Sequence, residues 1–111
     1  MVTSEKRGNI EIVSFTLNKL DALVADEVRE EVSRLFNEPN SRVIINLKGI
    51  QYIDSTGFGS LLSILRSARN NYGTLKICSI EPHVNNLFQN LRLNTIFDIY
   101  DDVDECIKSF S

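Results

Sequence analysis

The chain has no tryptophan, one methionine, one histidine, two prolines and two cysteines among its 111 residues. One histidine and two cysteines far apart in sequence cannot supply the paired Cys/His spacing of a structural zinc site. Nor do they form the dense cysteine framework of a small disulfide-stapled domain. Cys78 and Cys106 read instead as reduced, partly buried apolar residues of a cytoplasmic protein. Runs of Val, Ile and Leu stop at three, as at Val43, Ile44 and Ile45, far short of the ~20 residues a membrane-crossing helix needs. Behind the N-terminal charges Glu5, Lys6 and Arg7 there is no apolar stretch, so neither a secretory signal nor a membrane association is expected. Chemical signatures are missing too. There is no Gly-x-x-x-x-Gly-Lys-Ser/Thr loop, no Gly-x-Ser-x-Gly elbow, no His-Glu-x-x-His and no Cys-x-x-Cys, so hydrolase, metalloenzyme and nucleotide-cleaving chemistry have no visible equipment, and no cofactor is expected. Gly57-Phe58-Gly59 lacks the third glycine of a dinucleotide loop and reads as close packing of a helix start.

What is present is ordinary globular composition, 42% hydrophobic and 24% charged. At this length one domain is expected, spanning 1–111 with a core over about 8–110, and a chain of this mass can bury enough surface to fold unaided.

The net charge of -3 hides a segregation. Residues 21–38 carry Asp21, Asp26, Glu27, Glu30, Glu31 and Glu38 against Arg29 and Arg34, a balance of -4. Residues 39–92 carry six bases against Asp54 and Glu81, a balance of +4, and from Leu93 onward the chain is acidic again. Nucleic-acid binding needs a clustered excess of Lys and Arg along one face, which this distribution lacks; a protein partner fits better.

Hydrophobic spacing predicts alternating strands and helices. Ile10, Ile12 and Phe15 mark a strand over 10–16, with its period slipping near Val13. Val28, Val32, Leu35 and Phe36 share one helical stripe over 26–36, with acids opposite and Pro39 as a stop. Val43–Leu47 is β-branched and nearly apolar throughout, the pattern of a central strand buried on both faces of a parallel sheet. Leu61, Leu65, Ala68 and Tyr72 define a second helix ending at Gly73. A strand over 74–80, a short helix opened by Pro82, a last strand over 95–99 and a closing helix with Val103, Cys106, Ile107 and Phe110 complete the series. Such alternation implies βαβ units: an α/β fold with a mostly parallel sheet of four or five strands and helices mainly on one side.

The stretch VIINLKGIQYIDSTGFGSLL, residues 43–62, leads from the central strand through a turn into Asp54-Ser55-Thr56-Gly57 at a helix start. Unpaired amides and the helix dipole favour side-chain oxygens and anions there, so on spacing alone plain capping by Asp54 or Ser55 is favoured over a functional role. Taken with Leu17–Asp21, the Arg66–Gly73 helix end and Leu91–Tyr100, this stretch resembles the STAS domain in the free-standing form known as the anti-sigma factor antagonist. The resemblance implies that Ser55 is phosphorylated, with Thr56 as runner-up, and that Asp21, Asp54, Ser55, Thr56, Gly57 and Phe58 form the partner-binding surface. It implies as partners an anti-sigma factor with serine kinase activity, which the unphosphorylated form would bind so as to release the sigma factor, and a serine phosphatase that resets the switch. The protein itself would not be an enzyme. Two other uses of such a chain are a subunit of a different signalling scaffold or transport complex, and a weak nucleotide-binding protein.

Overall fold

Strands whose every residue is apolar need cover on both faces, and the computed structural model, which describes residues 1–111, provides it. Val43 and Ile45 of the strand Arg42–Asn46 enter one apolar cluster while Ile44 enters another on the opposite face, as the two-residue period of a strand requires. That strand is β4, central in a five-stranded sheet of order β1-β2-β4-β6-β7. Its neighbours are β2 (Ile10–Phe15) and β6 (Thr74–Cys78), both parallel to it. β7 (Asp98–Tyr100) adds in parallel at one edge, and β1 (Val2–Arg7) pairs antiparallel with β2 at the other. The slip at Val13 now has a cause: Ile10 and Ile12 face one cluster and Val13 the other, because β2 too is covered on both sides.

Three helices, α1 (Ala25–Ser33), α2 (Ser55–Asn70) and α3 (Pro82–Asn90), bury Val28, Val32, Leu61, Ile64, Ala68, Val84 and Phe88 in the larger cluster. The short α4 (Val103–Lys108) lies on the other face, where Cys106 packs with Cys78, Ile10, Ile12 and Ile44. The helices therefore lie mainly, but not all, on one side. Both cysteines are free and fully buried. The Cys106 thiol is pushed up from its usual range, first by its hydrogen bond with Cys78 and then by burial. No helix is long and apolar enough to cross a membrane.

Several boundaries differ from the periodicity. The first strand starts at Val2, ahead of the expected core, since β1 is a polar edge strand held by register with β2 rather than by apolar residues of its own. The last strand begins at Asp98 rather than Thr95, because Leu93–Thr95 forms a 3₁₀ turn entered through Arg92 at φ 58°. Tyr72, expected on the α2 stripe, lies beyond the helix at φ 56° and is 82% exposed. It fills the left-handed position that glycine usually takes. Gly73 instead makes room: a Cβ there would fall 2.7 Å from the Phe36 ring.

Candidate functional site

Two short strands outside the main sheet, β3 (Lys19–Leu20) and β5 (Tyr52–Ile53), position the candidate residues. They pair in parallel with Leu20 opposite Ile53, both buried. The residues that follow them, Asp21 and Asp54, are thereby brought to adjoining strand ends.

Asp54 is the N-cap of α2. Its Oδ1 accepts the Gly57 N–H at 2.8 Å, and its Oδ2 accepts the Ala22 N–H at 3.1 Å. One carboxylate thus caps a helix and ties it to the chain leaving β3. A further bond runs from the Asp54 N–H to the Leu20 carbonyl at 3.3 Å. Asp21 works more locally. Its Oδ1 accepts the Leu23 N–H at 3.1 Å, and its carbonyl accepts the N–H groups of Val24 and Ala25, so it builds the turn into α1.

Asp54 settles the choice between the two possible caps and leaves Ser55 free. Ser55 is the first residue of α2, exposed, and its hydroxyl makes no hydrogen bond within the chain. Thr56 is exposed beside it. The amides of Ser55 and Thr56 are the unpaired N–H groups of the helix start.

Gly57 and Phe58, expected on the same surface, are buried. An added Cβ at Gly57 would overlap the Leu20 carbonyl oxygen and lie 2.8 Å from Ile53 Cγ2, so glycine is what lets α2 start directly against β3 and β5. Phe58 points into the core, 7% exposed, its ring edge-on to Phe88 at 5.3 Å. The expectation that Phe58 presents its side chain to a partner is corrected: it anchors the helix start from beneath. Gly57 likewise supports the surface without forming it. Leu23, to which the sequence pattern assigned no role, is 92% exposed next to the residue that Asp54 holds. An apolar run such as Ala22–Val24 is ordinarily read as buried, so nothing in the pattern marked it.

No depression in the surface is lined by Asp21, Asp54 or Ser55. The largest, about 450 Å³, lies further along α2, between Leu62, Leu65, Arg66, Arg69, Thr95 and Ile96. A flat, exposed helix start with carboxylates beside it can be met by another protein's surface. It does not enclose a small molecule.

The chain is 27% identical over 85 residues to the anti-sigma F factor antagonist of Paenibacillus polymyxa, covering 76% of this chain and 73% of that one. Its backbone is similar to that of an anti-sigma-factor antagonist (STAS) domain protein from Planctomyces limnophilus, with a TM-score of 0.87 at 15% identity over 97% and 96% of the two chains. It is similar also to the phosphorylated form of the Bacillus cell fate determinant SpoIIAA, with a TM-score of 0.72 at 18% identity and full coverage of both chains. The STAS domain profile matches residues 2–106, nearly the whole sequence, and the chain belongs to the STAS domain family.

Proposed function

We propose that the protein is an anti-sigma factor antagonist that works by partner switching in the cytoplasm. Unphosphorylated, it docks through the surface around Ser55 onto an anti-sigma factor that is also a serine kinase, and the sigma factor is released. The kinase transfers phosphate to Ser55 and the complex dissolves; a serine phosphatase restores the docking form. The chain is substrate and ligand, not enzyme, and any ATP is bound by its partner.

The observation that carries this reading is the freedom of the Ser55 hydroxyl. It stands exposed at the first position of a rigid helix, and capping has been taken over by Asp54. A phosphoryl group adds about -1.5 to -2 charges at pH 7. At a helix N-terminus, next to unpaired amides, that charge is locally favourable, so the fold tolerates it. Seen from a partner, the same charge adds to the carboxylates of Asp21 and Asp54 and must be desolvated or opposed on docking. The relative from Paenibacillus polymyxa, named as an antagonist of this kind, and the SpoIIAA structure in its phosphorylated form support the reading.

The test is recovery of the tagged protein from its native cells, followed by mass spectrometry. An anti-sigma factor in its company and a phosphate on Ser55 are expected. Recovery with a transporter or a different scaffold would overturn the partner, and phosphate on Thr56 would move the switch by one residue.

A further inference from the structure

Leu23 is the most exposed large apolar side chain of the molecule, at 92%. Its backbone is nonetheless fixed. The Leu23 N–H is bonded to Asp21 Oδ1, the Ala22 N–H before it to Asp54 Oδ2, and the Val24 and Ala25 N–H groups after it to the Asp21 carbonyl. Leu23 precedes Val24, the N-cap of α1, where an apolar residue can fold back onto Val28 and staple the helix start. It does not, since Val28 is fully buried while Leu23 stays in water. A single exposed leucine is unremarkable on its own; one held out on a pinned turn, tied through Asp54 to the Ser55 helix, is a preformed knob.

A second feature lies one helical turn beyond Ser55, on the same face of α2. Gly59 is exposed, its φ is not in the left-handed region, and a Cβ built on it would meet nothing within 4 Å. Neither packing nor backbone conformation therefore asks for glycine there. This is the reverse of Gly57, where both neighbours forbid a side chain. Glycine inside a helix is disfavoured relative to alanine. A bare stretch of helix kept against that preference lets an approaching surface come closer by the depth of a methyl group.

We infer that Leu23 and Gly59 are the two contacts on which docking at the Ser55 surface turns, with Leu23 filling an apolar socket and the partner lying against the bare backbone at Gly59. The partner is a protein whose socket is rimmed by Arg or Lys. The knob stands among carboxylates: Asp21, which holds the Leu23 N–H, Asp54, which holds the Ala22 N–H, and Glu27 in the first turn of α1, where Asp26 is paired with Arg29. Of the cations on the same elements, Arg29 is paired with Asp26 and Glu30, which leaves Lys19 on β3. This inference rests on the proposed role of the Ser55 surface in binding.

The test uses calorimetric titration of the full chain and three variants against one probe, the protein recovered with the wild-type chain from native cells and then purified. Leu23→Ser and Gly59→Ala are each expected to weaken binding at least tenfold, about 1.4 kcal/mol. Tyr72→Ser, exposed beyond the far end of a helix about 24 Å long, should leave it unchanged. Both variants should stay folded by circular dichroism, and Gly59→Ala should melt higher than wild type, so weaker binding by it cannot be ascribed to damage. An anti-sigma factor that binds both variants with wild-type affinity overturns the inference and leaves the proposed function standing. A different recovered protein that loses both variants leaves the docking contacts standing and overturns the proposed function. The absence of any saturable binder overturns both.

Discussion

Alanine at Gly57 and at Gly59 makes the same chemical change two residues apart in one helix, and the structure assigns the two changes opposite signs. Alanine is favoured over glycine inside a helix by about 0.8–1.0 kcal/mol, which acts at both positions. At Gly59 nothing opposes it, since the new methyl meets no atom within 4 Å. Stability should rise by about 0.5–1 kcal/mol. At Gly57 the methyl would overlap the Leu20 carbonyl oxygen and crowd Ile53 Cγ2 at 2.8 Å. The first of these is backbone and cannot swing aside. Overpacking of this kind typically costs about 1–3 kcal/mol. Moving α2 away would also stretch the two bonds that join Asp54 to the β3 segment, from the Ala22 N–H and to the Leu20 carbonyl, worth about 1 kcal/mol each. Net destabilisation of about 1–3 kcal/mol is expected for Gly57→Ala, a gap of about 2–4 kcal/mol between the variants. Equilibrium urea unfolding measures it, with m unchanged if the native and unfolded states keep their compactness. Thermal midpoints should separate by roughly 4 °C per kcal/mol. Equal shifts for the two variants, or stabilisation by Gly57→Ala, would refute the claim that close approach of α2 to β3 is what requires glycine.

Ser55→Ala should change stability by less than about 0.5 kcal/mol, because the hydroxyl neither caps α2 nor touches a partner group; urea unfolding checks it. Asp54→Ala should cost about 1–2 kcal/mol as a lost cap and loosen the turn at Ala22 as well. Asp54→Asn should recover the Gly57 bond but not both acceptors, giving an intermediate midpoint in the same assay. Cys78 and Cys106, fully buried and with the Cys106 thiol pushed up, should react with an aromatic disulfide reagent only as fast as the chain opens, and at once in denaturant.

How much of this was legible in the sequence varies with the scale of the contact. β4 could be read as central because Val43–Leu47 is apolar on both faces, and α2 because Leu61, Leu65 and Ala68 recur at helical spacing. β1 could not, since Val2–Arg7 is polar and owes its strand conformation to six paired residues of β2. β3 and β5 are two residues each, too short for any period, yet they bring Asp21 beside Asp54. At the site, the sequence placed hydroxyls and a carboxylate at a helix start but left open which of them capped it. The Gly57 N–H on its Oδ1 makes Asp54 the cap, a tertiary bond from Ala22 holds its other oxygen, and the Ser55 hydroxyl is left exposed. The resemblance puts Phe58 in the partner-binding surface, whereas the close seating of Gly57 on Leu20 turns its ring inward to Phe88. In each case the missing information was a contact between segments distant in sequence.

The most direct test of the switch compares one affinity in two states. The protein and its Ser55-phosphorylated form are titrated by calorimetry against the purified anti-sigma factor, holding the nucleotide on that partner constant. Phosphorylation should lower affinity at least tenfold, about 1.4 kcal/mol, while the thermal midpoint stays within a few degrees of the unmodified protein. Equal affinity of the two forms would contradict the account and leave Ser55 as an exposed residue at the start of a helix.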